Sequence, residues 1–247
     1  MSGHNKWSTI KRKKGAADAK RGKIFTKIIK EIVIAAKEGG GDPDSNARLR
    51  LAIQNAKGAN MPKDNIERAI KKATGSEAVS YIETSFEGYG PHGIAVFVEC
   101  LTDNNNRTVA SVRSVFNKYG GNLGTNGSLS FLFERKGTFT LKNEGFSQEE
   151  LELEMIDAGA QDMEIDGDIL TITCAMEDFG SVSRKLSDLG IEPEESGLKR
   201  IPNDTKKLDV ESAKKVLKFI ETLEDDDDIQ NVYHNLEMTE ELAAALD

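Results

Sequence analysis

At 247 residues the chain is longer than one ordinary domain, and a composition of 38% hydrophobic and 30% charged residues is that of folded rather than disordered protein. No apolar run approaches the ~20 residues of a membrane span, and Met1–Lys14 has no apolar secretory core, so a cytoplasmic protein with no membrane partner is expected. The net charge of −9 hides an asymmetry: residues 1–75 hold 18 Lys and Arg against 7 Asp and Glu, a net +11, which leaves −20 on residues 76–247. A basic head on an acidic body points to a polyanionic partner for the head.

In chain order, the first ~20 residues have no apolar period and one aromatic, Trp7, which predicts an arm that orders on a partner. From Phe25 the apolar positions Phe25, Ile28, Ile29, Ile32, Val33 and Ala36 have helical spacing, and Gly39-Gly40-Gly41 ends the run. A second helix carries Leu49, Ala52, Ile53 and Ala56 and stops near Gly58. A third opens at Met61-Pro62 with an Asp64…Glu67 capping box and closes at Gly75. Three short amphipathic helices read as one small helical domain.

The period then changes. Strands are expected at Ile82–Glu87 and Ile94–Leu101, joined by a turn at Gly88–Gly93. A helix follows with Val109, Val112, Phe116 and Tyr119 on one face, and Ser128–Glu134 alternates as a strand. From Gly137 the order is strand (Phe139, Leu141), helix (Leu151, Met155, Ala158), a hairpin through Asp166-Gly167, helix (Phe179, Val182, Leu186, Leu189), and an edge strand containing Pro193. That is the split βαββαβ unit of ferredoxin-like folds. A final helix (Val210–Leu223) and strand (Ile229–His234) have no partners of their own, and the earlier strands lack an αβ unit. The expected class is therefore α+β in three domains: a three-helix domain followed by two ferredoxin-like (α/β plait) domains, the second inserted in the first. The expected boundaries are 1–75, then 76–134 with 205–247, then 135–204 as the insert. Residues 237–247 are read as a tail or short helix.

Clustered Lys and Arg attract phosphates by releasing counterions, without base contacts. The candidate nucleic-acid-binding residues are Lys6, Lys11, Arg12, Lys13, Lys14, Lys20, Arg21 and Lys23 on the arm, with Trp7 as a ring for base stacking. Lys27 and Lys30 extend the stripe along the first helix, Arg48, Arg50 and Lys57 along the second, and Lys63, Arg68 and Lys71, beside Lys72, along the third. The alternative for each is a solvated basic surface.

Other motifs read blandly. Gly88-Tyr89-Gly90-Pro91-His92-Gly93 spells a dinucleotide fingerprint but lies between strands, so a hairpin turn is preferred. The glycine-rich run Gly120–Ser128 has N–H groups for an anion but no phosphate-binding lysine, and is read as a connection. Asp225–Asp228 lacks the spacing of a cation loop and is read as a solvated acidic turn, and Asp103 and Arg107 as cap and surface residues. Cys100 and Cys174 are read as buried reduced thiols, consistent with a cytoplasmic location. His4, His92 and His234 are widely separated, no catalytic constellation is visible, and no cofactor, metal or catalytic residue is expected.

Longer stretches carry a resemblance. Gly3-His4-Asn5-Lys6-Trp7-Ser8-Thr9-Ile10-Lys11, Asp18–Phe25, Asn60–Ile70, Glu87–Pro91, Thr102–Thr108 and Asp227–Asn235 resemble the YebC family, in order along nearly the whole chain. The resemblance implies three domains, a helical head and two plait-like domains, in a cytoplasmic protein without catalysis. Bacterial members are generally labelled probable transcriptional regulators that bind DNA, whereas mitochondrial relatives act in translation. The expectation is a non-enzymatic nucleic-acid-binding regulator of gene expression, with duplex DNA as partner. The alternative is a ribosome-associated translation factor on ribosomal or transfer RNA; a metal- or nucleotide-dependent enzyme is more remote. A protein partner is expected at the acidic domains, and the chain is read as a monomer or weak dimer.

Overall fold

A computed structural model describes residues 18–75 and 80–246, with residues 18–20 described as backbone only. The arm residues Lys6, Trp7, Lys11, Arg12, Lys13 and Lys14 lie outside it, and Lys20 is placed only as part of a helix backbone.

The head consists of α1 (Asp18–Gly39), α2 (Ala47–Gly58) and α3 (Lys63–Thr74). Helix α1 begins seven residues before the first apolar position, Phe25, because its opening turns are charged and give no periodic signal. Its inner face packs Ile32, Val33 and Ala36 against Leu49, Ala52 and Ala56 of α2 and Ile66, Ala69 and Ala73 of α3. The turn between α1 and α2 is organised by buried Asn46. Its Oδ1 accepts from the Leu49 N–H at 3.0 Å, and its Nδ2 donates to the Ala35 and Gly40 carbonyls at 2.7 and 2.9 Å. The expected capping box of α3 is not formed: Pro62 occupies the cap position without a side-chain hydrogen bond.

The first plait contains β1 (Ile82–Tyr89), β2 (Ala95–Thr102), α4 (Asn105–Lys118) and the two-residue β3 (Asn122–Leu123). The C-terminal segment completes it with α7 (Val210–Glu224) and β8 (Ile229–His234). The strand order β3-β1-β2-β8 is antiparallel throughout, with Val98 opposite Val232. Strand β2 reads as a continuous apolar run because both its faces are covered. Ile94, Val96, Val98 and Cys100 pack on α4 and α7, while Ala95 and Phe97 meet Leu129, Phe133 and Tyr233 on the other side. The glycine motif closes a hairpin as expected, but Gly88 and Tyr89 still pair in β1 and the turn itself is Gly90–Gly93; a Cβ at Gly90 would lie 2.7 Å from the Phe219 ring.

The insert has β4 (Phe133–Lys142), α5 (Gln148–Asp157), β5 (Ala160–Asp166), β6 (Ile169–Ala175), α6 (Phe179–Asp188) and β7 (Glu195–Pro202), in order β5-β6-β4-β7. A short helix, α8 (Glu240–Ala244), follows β8. Three local expectations are corrected. Ser128–Leu132 is a series of turns, and the strand starts at Phe133 and runs unbroken through Lys142. The reason is Glu87, whose carboxylate accepts the Gly127 and Leu129 N–H groups, each at 2.7 Å, and holds this stretch out of a ladder. The β5–β6 turn is Gly167-Asp168, since Asp166 still pairs with Ile169. Edge strand β7 begins after Pro193, whose ring cannot donate to a ladder.

Candidate nucleic-acid interface

Lys23, Lys27 and Lys30 follow one another at helical spacing on α1 and share a face. That face is turned onto the body, against the end of α7 and the Asp225–Asp228 turn. Lys23 Nζ lies 2.8 Å from Asp225 Oδ1 and donates also to the Asp225 carbonyl at 3.2 Å. Lys27 Nζ donates to the Glu224 carbonyl at 3.0 Å. Both cations sit at the C-terminal end of α7, where the unpaired carbonyls and the helix dipole favour positive charge.

Lys30 lies deepest. Its ammonium donates to Asp228 Oδ1 at 2.7 Å, to the Asp227 carbonyl at 2.7 Å and to the Leu101 carbonyl at 3.2 Å, which uses its three protons. The Tyr81 ring lies below it, 5.4 Å from nitrogen to centroid. The other carboxylate oxygen, Asp228 Oδ2, accepts from Thr102 Oγ1, Thr108 Oγ1 and the Arg107 Nε and Nη2 atoms at 2.7–3.2 Å. Burial pushes the Asp228 carboxyl up, but the bonds from Lys30, Arg107 and Thr108 outweigh it and hold the pKa down to about 2. The acidic turn is solvated only in part: Asp225 and Asp227 are exposed as expected, whereas Asp228 is 6% exposed and anchors the head to the first plait. Arg107 lies at the surface as expected and reaches in to join that anchor, and Asn104 rather than Asp103 caps α4.

Of the remaining candidates, Arg48 is also committed within the protein. It faces Glu38 at 2.8 Å, Glu31 at 3.4 Å and Glu83 of β1, which makes a second ionic link from head to body. Burial is the main influence on the Glu31 carboxyl and raises its pKa against the pull of Arg48. The expected stripe is thus engaged within the chain on two helices: Lys30 is buried, and the partly exposed Lys27 and Arg48 face carboxylates and carbonyls of this chain.

Arg21, Arg50, Lys57, Lys63, Arg68 and Lys71 are exposed on the head, as are Lys37 and Lys72. Arg50 donates to the Pro43 and Asp44 carbonyls at 2.8 and 3.2 Å. Arg68 donates from Nε to the Asp64 carbonyl at 3.0 Å and from Nη2 to Asn65, and Lys63 lies 3.4 Å from Glu67. These are surface contacts that solvent and salt weaken. What α3 presents outward is thus a mixed face of Lys63, Asp64, Glu67, Arg68 and Lys71.

The head is held to the insert as well. Asn55 of α2 donates to the Ser196 carbonyl at 2.8 Å and accepts its N–H at 2.9 Å, as a neighbouring strand would. The two plaits meet where Arg200 lies 3.8 Å over the Phe97 ring and pairs with Glu99 at 3.0 Å. Among the described residues no group of three or more His, Cys, Asp or Glu is placed to hold a metal ion, and no helix is long and apolar enough to cross a membrane.

The Lys30–Asp228 joint was not found from sequence. Its one signal is that three lysines at helical spacing match the chain's one dense acidic run, and nothing in the sequence pairs segments that far apart.

Two family models match the chain: the TACO1/YebC protein N-terminal domain over residues 5–76, and the TACO1/YebC second and third domain over residues 81–236. Proteins called probable transcriptional regulatory protein are similar over their full length. That of Treponema denticola is 53% identical over 241 residues, 97% of this chain and 98% of the relative. That of Rubrobacter xylanophilus is 50% identical over 246 residues, 99% of this chain and 98% of the relative. The crystal structure of a conserved hypothetical protein from Aquifex aeolicus superposes with a TM-score of 0.82 at 44% identity, covering 90% of this chain and 93% of that one.

Proposed function

Because the chain belongs to the TACO1/YebC family, we propose that it is a non-enzymatic regulator of gene expression whose basic arm and helical head bind nucleic acid. Transcription is the level that the names of the relatives indicate. The observation that carries the reading is the separation of charge: +11 on residues 1–75 against −20 on the rest. Phosphate binding releases condensed counterions, so such a head gains affinity without reading bases. Arg21, Arg50, Lys57, Lys63, Arg68 and Lys71 are the exposed head residues offered for this role, with Lys6, Trp7, Lys11, Arg12, Lys13, Lys14 and Lys20 preceding them. Lys23 and Lys27 join only if they leave the end of α7. The acidic domains stay off phosphate and leave room for a protein partner.

One observation favours a second reading, regulation of translation on structured RNA. The outward face of α3 interleaves Asp64 and Glu67 with its cations and offers no free set of Arg, Asn or Gln for base edges in a major groove. Phosphate contact without base readout suits an irregular RNA surface as well as a duplex.

Crosslinking the tagged protein in cells with ultraviolet light, followed by sequencing of recovered DNA and RNA, tests both. Discrete promoter fragments support transcription; defined positions in ribosomal or transfer RNA support translation. Recovery of neither polymer refutes nucleic-acid binding altogether.

A further inference from the structure

The glycine-rich stretch after α4 is not explained by the basic head. From Tyr119 to Phe133 the chain has no charged residue, in a protein where 30% of residues are charged. Its N–H groups do converge on an anion, but that anion is the protein's own. Buried Glu87 accepts from Gly127 and Leu129 at 2.7 Å each, and its carbonyl accepts from the Gly124 N–H at 2.7 Å. The loop is fixed at its far side too. Asn203 donates its side-chain N–H to the Phe131 carbonyl at 3.0 Å and its backbone N–H to the Leu132 carbonyl at 2.8 Å. Leu129 is fully buried, so the loop cannot swing away as a unit.

On this pinned backbone Phe131 stands 68% exposed. Thr125, Asn126, Ser128 and Ser130 beside it are exposed as well and carry hydroxyl and amide groups. A single exposed apolar side chain is ordinary; one whose backbone is anchored on both sides is pre-organised for contact. The neighbourhood selects the partner. A protein pocket would call for a wider apolar patch, whereas the stretch that carries this ring, Tyr119–Phe133, offers only neutral donors and acceptors, with the nearest carboxylates in sequence at its anchor points, Glu134 and Asp204.

We infer that the Phe131 loop is a second nucleic-acid contact, in which the ring stacks on an unpaired base of RNA and the neighbouring hydroxyl and amide groups bond to its edge and to the ribose 2′-hydroxyl, which DNA lacks. Aromatic rings stack on any base, but only where the base is not already stacked in a duplex. The inference rests on the nucleic-acid reading above and adds to it.

The test is fluorescence anisotropy of the full chain with a short mixed-sequence single-stranded RNA, the same sequence as single-stranded DNA, and duplex DNA. Phe131→Ala is expected to weaken binding to the RNA roughly five- to a hundredfold and to leave duplex DNA unaffected. Phe131→Trp, which restores a stacking surface, is expected to bind the RNA as the natural chain does. RNA affinity unchanged in Phe131→Ala overturns the inference, while salt-sensitive binding by the unmodified chain leaves the head's role standing. Equal losses on duplex DNA overturn it as a base-stacking contact, and equal dependence on Phe131 for the DNA strand overturns the assignment to RNA. Absence of salt-sensitive binding to all three polymers overturns both readings.

Discussion

Lys30 and Asp228 are 198 residues apart in sequence and 2.7 Å apart in space, each with a side chain less than a tenth exposed. A buried pair of this kind is tolerable only because every other polar atom around it is used. The ammonium has two carbonyls besides the carboxylate, and the second carboxylate oxygen has Arg107, Thr102 and Thr108. The pair therefore specifies how the head docks, more than it adds net stability.

Breaking the pair from one side leaves an uncompensated charge. Lys30→Met is expected to destabilise the docked head by about 3 kcal/mol, the low end for a buried pair, because Arg107 still holds Asp228. Limited proteolysis between head and body should accelerate, and the melting transition should split. The double variant Lys30→Met with Asp228→Leu should not recover the loss, because removing the carboxylate strands Arg107 and the buried Thr102 and Thr108 hydroxyls. A single variant with unchanged proteolysis would show that the joint does not hold the head.

Acid should loosen the fold in two windows. His234 is fully buried and burial lowers its pKa to about 4, so the unfolded chain binds its proton first and stability falls as pH drops from about 6.5 to about 4. The total is about 3 kcal/mol. Asp228, held down to about 2, keeps its contribution above the unfolded carboxylate value and loses it as pH falls from about 4 to about 2. Urea melts of His234→Gln across pH should lack the first window and retain the second.

Charge on the head should set the salt dependence of nucleic-acid binding. Lys57→Gln with Lys71→Gln is expected to reduce the slope of log affinity against log salt by roughly 1.5. Asp225→Asn should act in the opposite sense, since it releases Lys23 and removes a repelling charge. That pair is largely exposed, so stability should change by less than about 1 kcal/mol. Titrations at several salt concentrations measure both, and a slope indifferent to Lys57 and Lys71 would move the interface elsewhere.

Glu87→Gln should loosen the glycine-rich loop. The amide retains one acceptor oxygen and sets an NH₂ against a backbone donor, leaving a buried group unsatisfied at a cost of about 1–3 kcal/mol. Hydrogen exchange at Gly127 and Leu129 is the direct readout, and both should exchange faster.

Much of the architecture was legible in the residues because each element is amphipathic at its own period. Helix α1 from Phe25, the apolar β2 and the βαββαβ insert are all marked by local pattern. The unmatched helix at Val210 and strand at Ile229 also implied their return to the first sheet, since a strand with apolar faces must find a sheet; that the strand pairs with β2 is given by the fold. Legibility failed at Ser128–Leu132, where alternation of Leu129, Phe131 and Phe133 imitates a strand. There the inward–outward pattern is real, but a distant carboxylate, Glu87, takes the N–H groups that a ladder would have used.

The candidate interface divides along the same line. That the head is basic, the body acidic and the chain of this family follows from the sequence alone, because charge counts and motifs need no coordinates. Which lysines remain for phosphate was decided by tertiary structure. Lys30 and Arg48 carry no mark in the sequence that sets them apart from Lys57 and Lys71; docking against Asp228 buries Lys30, and Glu31, Glu38 and Glu83 pair with Arg48, which stays partly exposed. A charge's availability depends on its distance to opposite charges and on the water left around it, and both are properties of the folded chain.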